Sequence, residues 1–508
     1  MNINFLDIFE NTVKKKINDT AVVHRESSVT FSELMLSAKN AACSLIGIIG
    51  NSVNVPVAVF LPKQISTIIA DLAIMYSCNP FMNLDVKTPK DRIFNTMELI
   101  KPLAVITDEK NKAFFDGTSY NVILIDELIN SGKADEELLL ERRSRLIDTD
   151  PMCLINTSGS TGTPKSVALN HRSFFDFMYW SVERFGFDDS FVVGSLSPVV
   201  FDIYDFELCL MMMCGAKLVL LDASLASFPA KLLEGLNKNS VNFIFWVPSI
   251  MVNIANMDLL NKIDIPPLKL VWFAGEVFPT KQFLYWYDIM KNTMFVNMYG
   301  PIEITLDCTY YAVEKRPDEN KPLPIGIPCR NTDILILNDD DKLCTAGEEG
   351  ELCVRGTSLA MGYYNNPEKT SAAFVQNPLN TAYPETIYRT GDIVFCDEFG
   401  LIHFCGRKDS LIKHMGYRIE LGEIEHVLIN KLMLVKYCCA VYNYSKKKIV
   451  LYYEKDSDIS AADFRNAIKT EFPAYMMPSE YIRMELLPRN ANGKIDRLLL
   501  KKKTNEED

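Results

Sequence analysis

Residues 157–166 read TSGSTGTPKS, and the reading of this stretch decides which fold the chain carries. Two glycines, clustered hydroxyls and a lysine suit a loop that grips phosphate. A P-loop, however, places a glycine directly before its lysine, where this chain has Pro164. A P-loop cradles phosphates with successive backbone N–H groups. Pro164 has no N–H and a fixed φ, so it removes a donor and resists the turn into a following helix. A plain turn would need only glycine and proline, and would leave the five hydroxyl residues before Lys165, and Lys165 itself, unexplained. The composition points to a phosphate loop of another architecture.

The flanking sequence has the grammar of a parallel α/β protein. Residues 30–49, TFSELMLSAKNAACSLIGII, space apolar side chains at helical intervals behind a Thr30 N-cap. Short apolar runs at 55–61, 102–108, 217–222, 243–248, 268–275 and 294–300 end at polar or glycine residues and alternate with helical patterns. Such alternation predicts parallel sheets covered by helices. Ligands of open parallel sheets bind beyond the carboxyl ends of the strands, so those endings are where chemistry is expected. From about 320 to 405 the texture changes to short strands between glycine-rich and acidic turns, as in TDILILNDDDKLCTAGEEGELCVRG (332–356), which predicts a small barrel-like antiparallel subdomain. Beyond 410, a helix at 420–432, strands at 437–443 and 448–454 and a helix at 461–472 predict a small α+β domain.

At 508 residues the chain is long enough for two or three cores. A net charge of −12 argues against a nucleic-acid binder, whose phosphate contacts need a concentrated basic surface. The lysine runs at 445–448 and 501–503 read as solvated surface. Thirteen scattered cysteines, odd in number and without a CxxC pair, read as reduced, small buried residues of an intracellular protein. Five histidines without ligand spacing argue against a protein-bound zinc site. The first residues are acidic early and hold no signal-peptide apolar run, and the apolar stretch at 208–223 is interrupted by Gly215 and Lys217. A cytoplasmic protein with no membrane partner is expected.

A series of further motifs follows the loop in order across 157–497. They are FDIYDFE (201–207), FAGEVFP (273–279), NMYGPIE (297–303), GELCVRGTSLAMGYYNNPEKTSAAF (350–374), YRTGD (388–392), GRKDSLIKHMGYRIELGEIE (406–425) and NANGKIDR (490–497). In this order the chain resembles the adenylate-forming, AMP-binding enzyme superfamily. Within it the chain is most similar to amino-acid adenylation domains of nonribosomal peptide synthetases and to stand-alone D-alanine–carrier protein ligases. The resemblance implies an α/β fold: a large N-terminal domain (1–406) of two helix-covered, mostly parallel sheet subdomains plus a barrel-like one. A hinge (407–411) and a small mobile α+β domain (412–508) would follow.

The implied chemistry joins a carboxylate to MgATP, giving an acyl-adenylate and pyrophosphate. By resemblance Thr157, Ser158, Gly159, Ser160, Thr161, Gly162 and Lys165 form the phosphate loop. Gly275, Glu276, Asn297 and Gly300 line the nucleotide site, Tyr299 packs on adenine, and Glu303 helps hold Mg²⁺. Asp392 would accept both ribose hydroxyls, a task that suits a carboxylate, and Arg407 would reach the ribose–phosphate region. Lys494 matches the lysine that bridges substrate carboxylate, α-phosphate and ribose; read alone it is a surface lysine in an Asn-Gly turn. Asp409 matches the hinge.

Asp202 is the specificity residue that matters most, because amino-acid activators pair it with the substrate ammonium. The adenylation-domain pocket laid onto this chain nominates Ile203, Phe206, Trp246, Trp272, Ala274, Met298, Leu306 and Asp307. The tryptophans and methionine favour a small substrate such as D-alanine, whereas Asp307 would suit a cationic side chain or face solvent or a backbone amide instead. Three positions depart from the pattern: Ser166 for glycine, Ile302 for threonine and Tyr204 for serine. The chain past the last motif is short for a carrier domain, so an aminoacyl group is expected to pass to the phosphopantetheine of a separate carrier protein, with the enzyme a monomer. The alternatives are an acyl-CoA synthetase for a fatty or aryl acid, and a nucleotide-binding regulator impaired in catalysis.

Overall fold

The computed structural model describes residues 4–157, 165–408, 411–435, 437–454, 459–489 and 495–506. Its chain contacts divide into two compact units, Met1–Val86 with Lys101–Ile155 and Val167–Gly406, and Lys87–Ile100 with Asn156–Ser166 and Arg407–Asp508.

The first unit contains a nine-stranded sheet whose interior is parallel. In spatial order the parallel strands are Thr20–His24, Lys217–Leu220, Val192–Ser195, Phe243–Trp246, Leu270–Phe273 and Met294–Tyr299. Antiparallel strands close both edges, Ser27–Thr30 at one and Thr309–Ala312 with Ile327–Pro328 at the other. A seven-stranded sheet is built around parallel Val57–Phe60, Phe81–Asn83, Val105–Thr107 and Val122–Leu124. The third sheet pairs Thr332–Leu337, Gly350–Gly356, Thr386–Cys396 and Phe374–Gln376 antiparallel, with Ile402–Arg407 also on Thr386–Cys396. The α/β class and the two kinds of sheet are those the sequence texture predicts.

Local chemistry sets the helix ends. Thr30 and Glu33 form a reciprocal capping box at the start of helix Phe31–Ile49, with Glu33 N–H donating to Thr30 Oγ1 at 3.2 Å and Thr30 N–H to the Glu33 carboxylate at 2.9 Å. Helix Asp202–Cys214 stops at Gly215, whose φ of +75° belongs to the left-handed region. Along the central strands, alternation distributes side chains to two cores. Phe243, Phe245, Leu270, Trp272, Val296 and Met298 join one cluster, while Ile244, Trp246, Val271, Phe273 and Phe295 join another.

In the second unit, hairpin Leu411–His414/Tyr417–Glu420 turns through Met415 and Gly416, both at positive φ, the geometry of a two-residue hairpin turn. Strands Tyr437–Asn443 and Lys448–Glu454 pair antiparallel and Glu480–Met484 adds in parallel. The sequence predicts one helix over 420–432; the structure has helix Leu421–His426 widening into a π turn at Val427–Lys431, where Leu432 N–H donates to Val427 O at 2.9 Å. Helix Lys90–Ile100 belongs to this unit and contributes Arg92, which pairs with the buried Glu423.

Candidate active site

The carboxyl ends of strands Leu270–Phe273 and Met294–Tyr299 carry the first group of site residues. Past Phe273 the chain turns at Gly275, φ +89°, a conformation that a β-carbon disfavours. The Glu276 carboxylate then accepts the Ser249 N–H at 2.9 Å, capping helix Pro248–Asn256. On the next strand Asn297 donates to Pro324 O at 2.8 Å, and the Tyr299 hydroxyl donates to the Asp392 carboxylate. Asp392 reaches this position from the third sheet, its N–H donating to Thr390 Oγ1 at 2.9 Å while Gly391 N–H donates to Glu351 at 3.1 Å. The aromatic ring and the carboxylate nominated for the nucleotide thus meet, both buried, at the junction of two sheets.

Glu303 lies on the short turn Ile302–Ile304 and is completely buried. It accepts the Tyr363 hydroxyl at 2.7 Å, while its backbone oxygen accepts Ala360 N–H at 2.9 Å. The chain leaves this turn through Thr305 and Leu306, two consecutive non-glycine residues at φ +50° and +68°. Backbone of this kind costs about 1–3 kcal/mol per residue and persists only where its surroundings enforce it. Here Thr305 donates to Ser173 at 3.0 Å, and Gly300 lets Leu306 and Asp307 fold back against it. A β-carbon on residue 300 would stand 2.4 Å from Leu306 O and 2.5 Å from Asp307 Cα. Gly300→Ala is therefore expected to lower stability by about 1–3 kcal/mol in denaturant unfolding. It should also displace Leu306 and Asp307, so an unchanged unfolding midpoint would contradict the packing described.

The substrate candidates divide by strand parity. Asp202 opens helix Asp202–Cys214, half-buried at the helix end where a carboxylate is favoured. Ile203, Phe206, Trp272, Ala274, Met298 and Leu306 share one apolar cluster, and Phe206 packs on Trp272 with ring centroids 5.0 Å apart. Asp307 is buried at the end of the strained turn. Trp246 lies on the opposite face of the sheet, where its indole donates to Gly194 O at 3.1 Å within the other cluster. The residue on the face that carries Trp272 is Phe245, in register with Trp272 and 5.4 Å from it by ring centroid. The pairing of the two strands, which sets Phe245 beside Trp272, is what identifies it.

A family model described as AMP-binding enzyme matches residues 9–364. The chain belongs to that family. Zwittermicin A synthase ZmaJ of Bacillus cereus is 27% identical over 501 residues, covering 97% of this chain and 94% of that protein. Other relatives are longer: the chain spans 44% of tyrocidine synthase 1 of Brevibacillus parabrevis, at 29% identity. Among solved structures, the Vibrio cholerae adenylation domain AlmE with glycyl-adenosine-5'-phosphate superposes with a TM-score of 0.84 at 20% identity, covering 99% of this chain and 98% of that one. The o-succinylbenzoate CoA synthetase MenE of Bacillus subtilis has the same TM-score, identity and coverages. These two likenesses establish the fold.

The remaining candidates of this AMP-binding enzyme lie in the second unit. Thr157 ends strand Pro151–Thr157, buried, and its hydroxyl makes no hydrogen bond among the described residues. Lys165 opens the next strand and lies 2.9 Å from the Glu420 carboxylate. Ser166, the departure from glycine, is wholly buried and donates to the Asn156 side chain. Its hydroxyl is thus engaged inside the sheet. Arg407 ends strand Ile402–Arg407, half-buried. Ser158, Gly159, Ser160, Thr161, Gly162, Asp409 and Lys494 lie outside the described residues. No helix among the described residues is long and apolar enough to cross a membrane.

Proposed function

We propose that this AMP-binding enzyme activates an amino acid with ATP as an aminoacyl-adenylate. It then transfers the aminoacyl group to the phosphopantetheine thiol of a separate carrier protein, acting as a cytoplasmic monomer. D-alanine or another small amino acid is the favoured substrate. The observation that carries this reading is Asp202, a half-buried carboxylate beside the aromatic and aliphatic cluster of Phe206, Trp272 and Met298. The helix end favours a carboxylate at this place, and the substrate ammonium is the cation it would receive. A fatty or aryl acid brings no ammonium to it.

Substrate size is set by the same walls. Trp272, Phe206, Phe245 and Met298 occupy the volume that a long side chain would need. Asp307 supports a second substrate class, ornithine or lysine, through its buried carboxylate. For the nucleotide, Tyr299 and Asp392 would hold adenosine, with Glu276 and Asn297 fixing the backbone around it. Glu303 fits Mg²⁺, which binds one or two carboxylates and takes its other ligands from substrate phosphates and water. The ion would draw charge from the phosphates. Lys165 and Lys494 supply positive charge for the same anions, and Arg407 joins them at the ribose–phosphate.

The deciding experiment is ATP–pyrophosphate exchange on purified protein with D-alanine, the L-amino acids, ornithine, and representative fatty and aryl acids. Exchange with one small amino acid is the expected result, and turnover of a fatty or aryl acid alone would overturn the reading. The likeness to a CoA synthetase fold keeps a free-thiol acceptor in view. Comparing holo-carrier protein with free coenzyme A as acceptor separates the two.

A further inference from the structure

Helix Asp202–Cys214 presents a second carboxylate, Asp205, one turn after Asp202. Asp205 is 2% exposed, and it faces Asp71 of helix Ile65–Tyr76, which is 0% exposed. The Asp71 Oδ2 atom accepts the Tyr204 hydroxyl at 2.6 Å and the Asn83 amide at 3.3 Å. Among the described residues, the donor to Asp205 is the Cys153 thiol, at 3.7 Å. Asp71 Oδ1, Asn83 Oδ1 and Asp205 Oδ1 are buried without a hydrogen-bond partner among the same residues.

The groups facing this cluster are Asp202, Tyr204, Glu207 and Cys209 from the helix, Asn83 from strand Phe81–Asn83, and Cys153 from strand Pro151–Thr157. None of them is basic. Glu207 has its own cation in Lys63, whose ammonium donates to Ser195 O and Ser197 O, both at 2.7 Å. Two ionised carboxylates buried side by side without a cation are untenable, so a proton must take the cation's place. Burial pushes Asp71 up to about 7, and burial followed by the charge of Asp71 pushes Asp205 well above the usual carboxylate range.

We propose that Asp71 and Asp205 form a protonated acid pair that positions the first turn of helix Asp202–Cys214, and through it Asp202, for the amino group of the substrate. Tyr204 is the tether: its hydroxyl ties that turn to Asp71. Loss of the Asp71 proton leaves a charge buried at the helix contact without a cation, which destabilises the turn and weakens amino-acid binding as pH rises. The inference rests on the reading of Asp202 as the ammonium partner, so its test has one arm independent of that reading.

The independent arm is thermal stability against pH. A carboxyl whose pKa is raised on folding adds stability that is complete below its ordinary pKa and is lost as pH rises through the raised value. The wild-type melting temperature is therefore expected to fall as pH rises from about 4 to about 8, and Asp71→Asn to lessen that fall. Asparagine still accepts from Tyr204 but does not titrate. The second arm is the KM for the amino acid in ATP–pyrophosphate exchange over the same range, below the titration of the substrate ammonium. Wild type is expected to show a severalfold rise with pH while the KM for ATP holds steady. Asp71→Asn should remove the rise, and Asp71→Leu, which loses the tether, should raise KM at every pH.

Equal melting profiles in wild type and Asp71→Asn would overturn the acid pair. A flattened melting profile with an unchanged KM profile would overturn the positioning role. Absence of exchange with every amino acid would sink the functional reading while the melting arm still judged the pair.

Discussion

Asp202→Ala is expected to lower kcat/KM for the amino acid by about a hundredfold or more in ATP–pyrophosphate exchange. That scale, about 3 kcal/mol, is the lower end of the cost of removing one partner from a buried ion pair. The lower end applies because Asp202 is half-buried and water screens part of its charge. The loss should fall on the amino acid and leave the KM for ATP little changed, since Tyr299, Asp392 and Glu303 are held by contacts that do not involve helix Asp202–Cys214. Asp202→Asn is the sharper variant: it keeps the size of the side chain and removes only the charge, so an electrostatic role predicts nearly the same loss. Full activity in Asp202→Asn would mean that the carboxylate recognises nothing, and the case for an amino acid over a fatty or aryl acid would fall with it.

The sequence made the fold legible where local chemistry decides it. Thr30 with Glu33 marks a helix start and Gly215 a helix end, and each apolar run that stops at a polar or glycine residue became a strand of a sheet. Tyr299 and Asp392 were legible as candidates, yet their hydrogen bond was not, because it joins residues 93 apart on different sheets. The same holds for Tyr363 on Glu303, a contact spanning 60 residues. Parity within a strand was the other blind point. Trp246 and Phe245 are both large aromatic residues on one buried strand, and an all-apolar run carries no alternation to show which side chain faces which core. The departures Tyr204 and Ser166 are intelligible only in three dimensions, where each hydroxyl has a partner, the buried Asp71 for one and the half-buried Asn156 for the other.

Trp272→Ala is expected to cost about 3–5 kcal/mol of stability in denaturant unfolding. Trp272 is 0% exposed and is enclosed by the rings of Phe177, Phe185, Phe187, Phe206, Phe243 and Phe245, with centroids 4.9–6.4 Å away. Five of those rings meet it edge-on, a geometry that adds to simple burial. Rings locked in this way cannot collapse to refill the space, so the full cavity term is felt. Because Trp272 shares its cluster with Ala274, Met298 and Leu306, the space should open toward the proposed substrate and admit side chains that wild type rejects. Trp246→Ala is the matched control: equally buried, but on the opposite face of the sheet, it should cost comparable stability without changing the substrate range. If both variants broadened the range alike, general loosening would explain the effect. Broadening in Trp272→Ala alone would assign that face of the sheet to substrate selection.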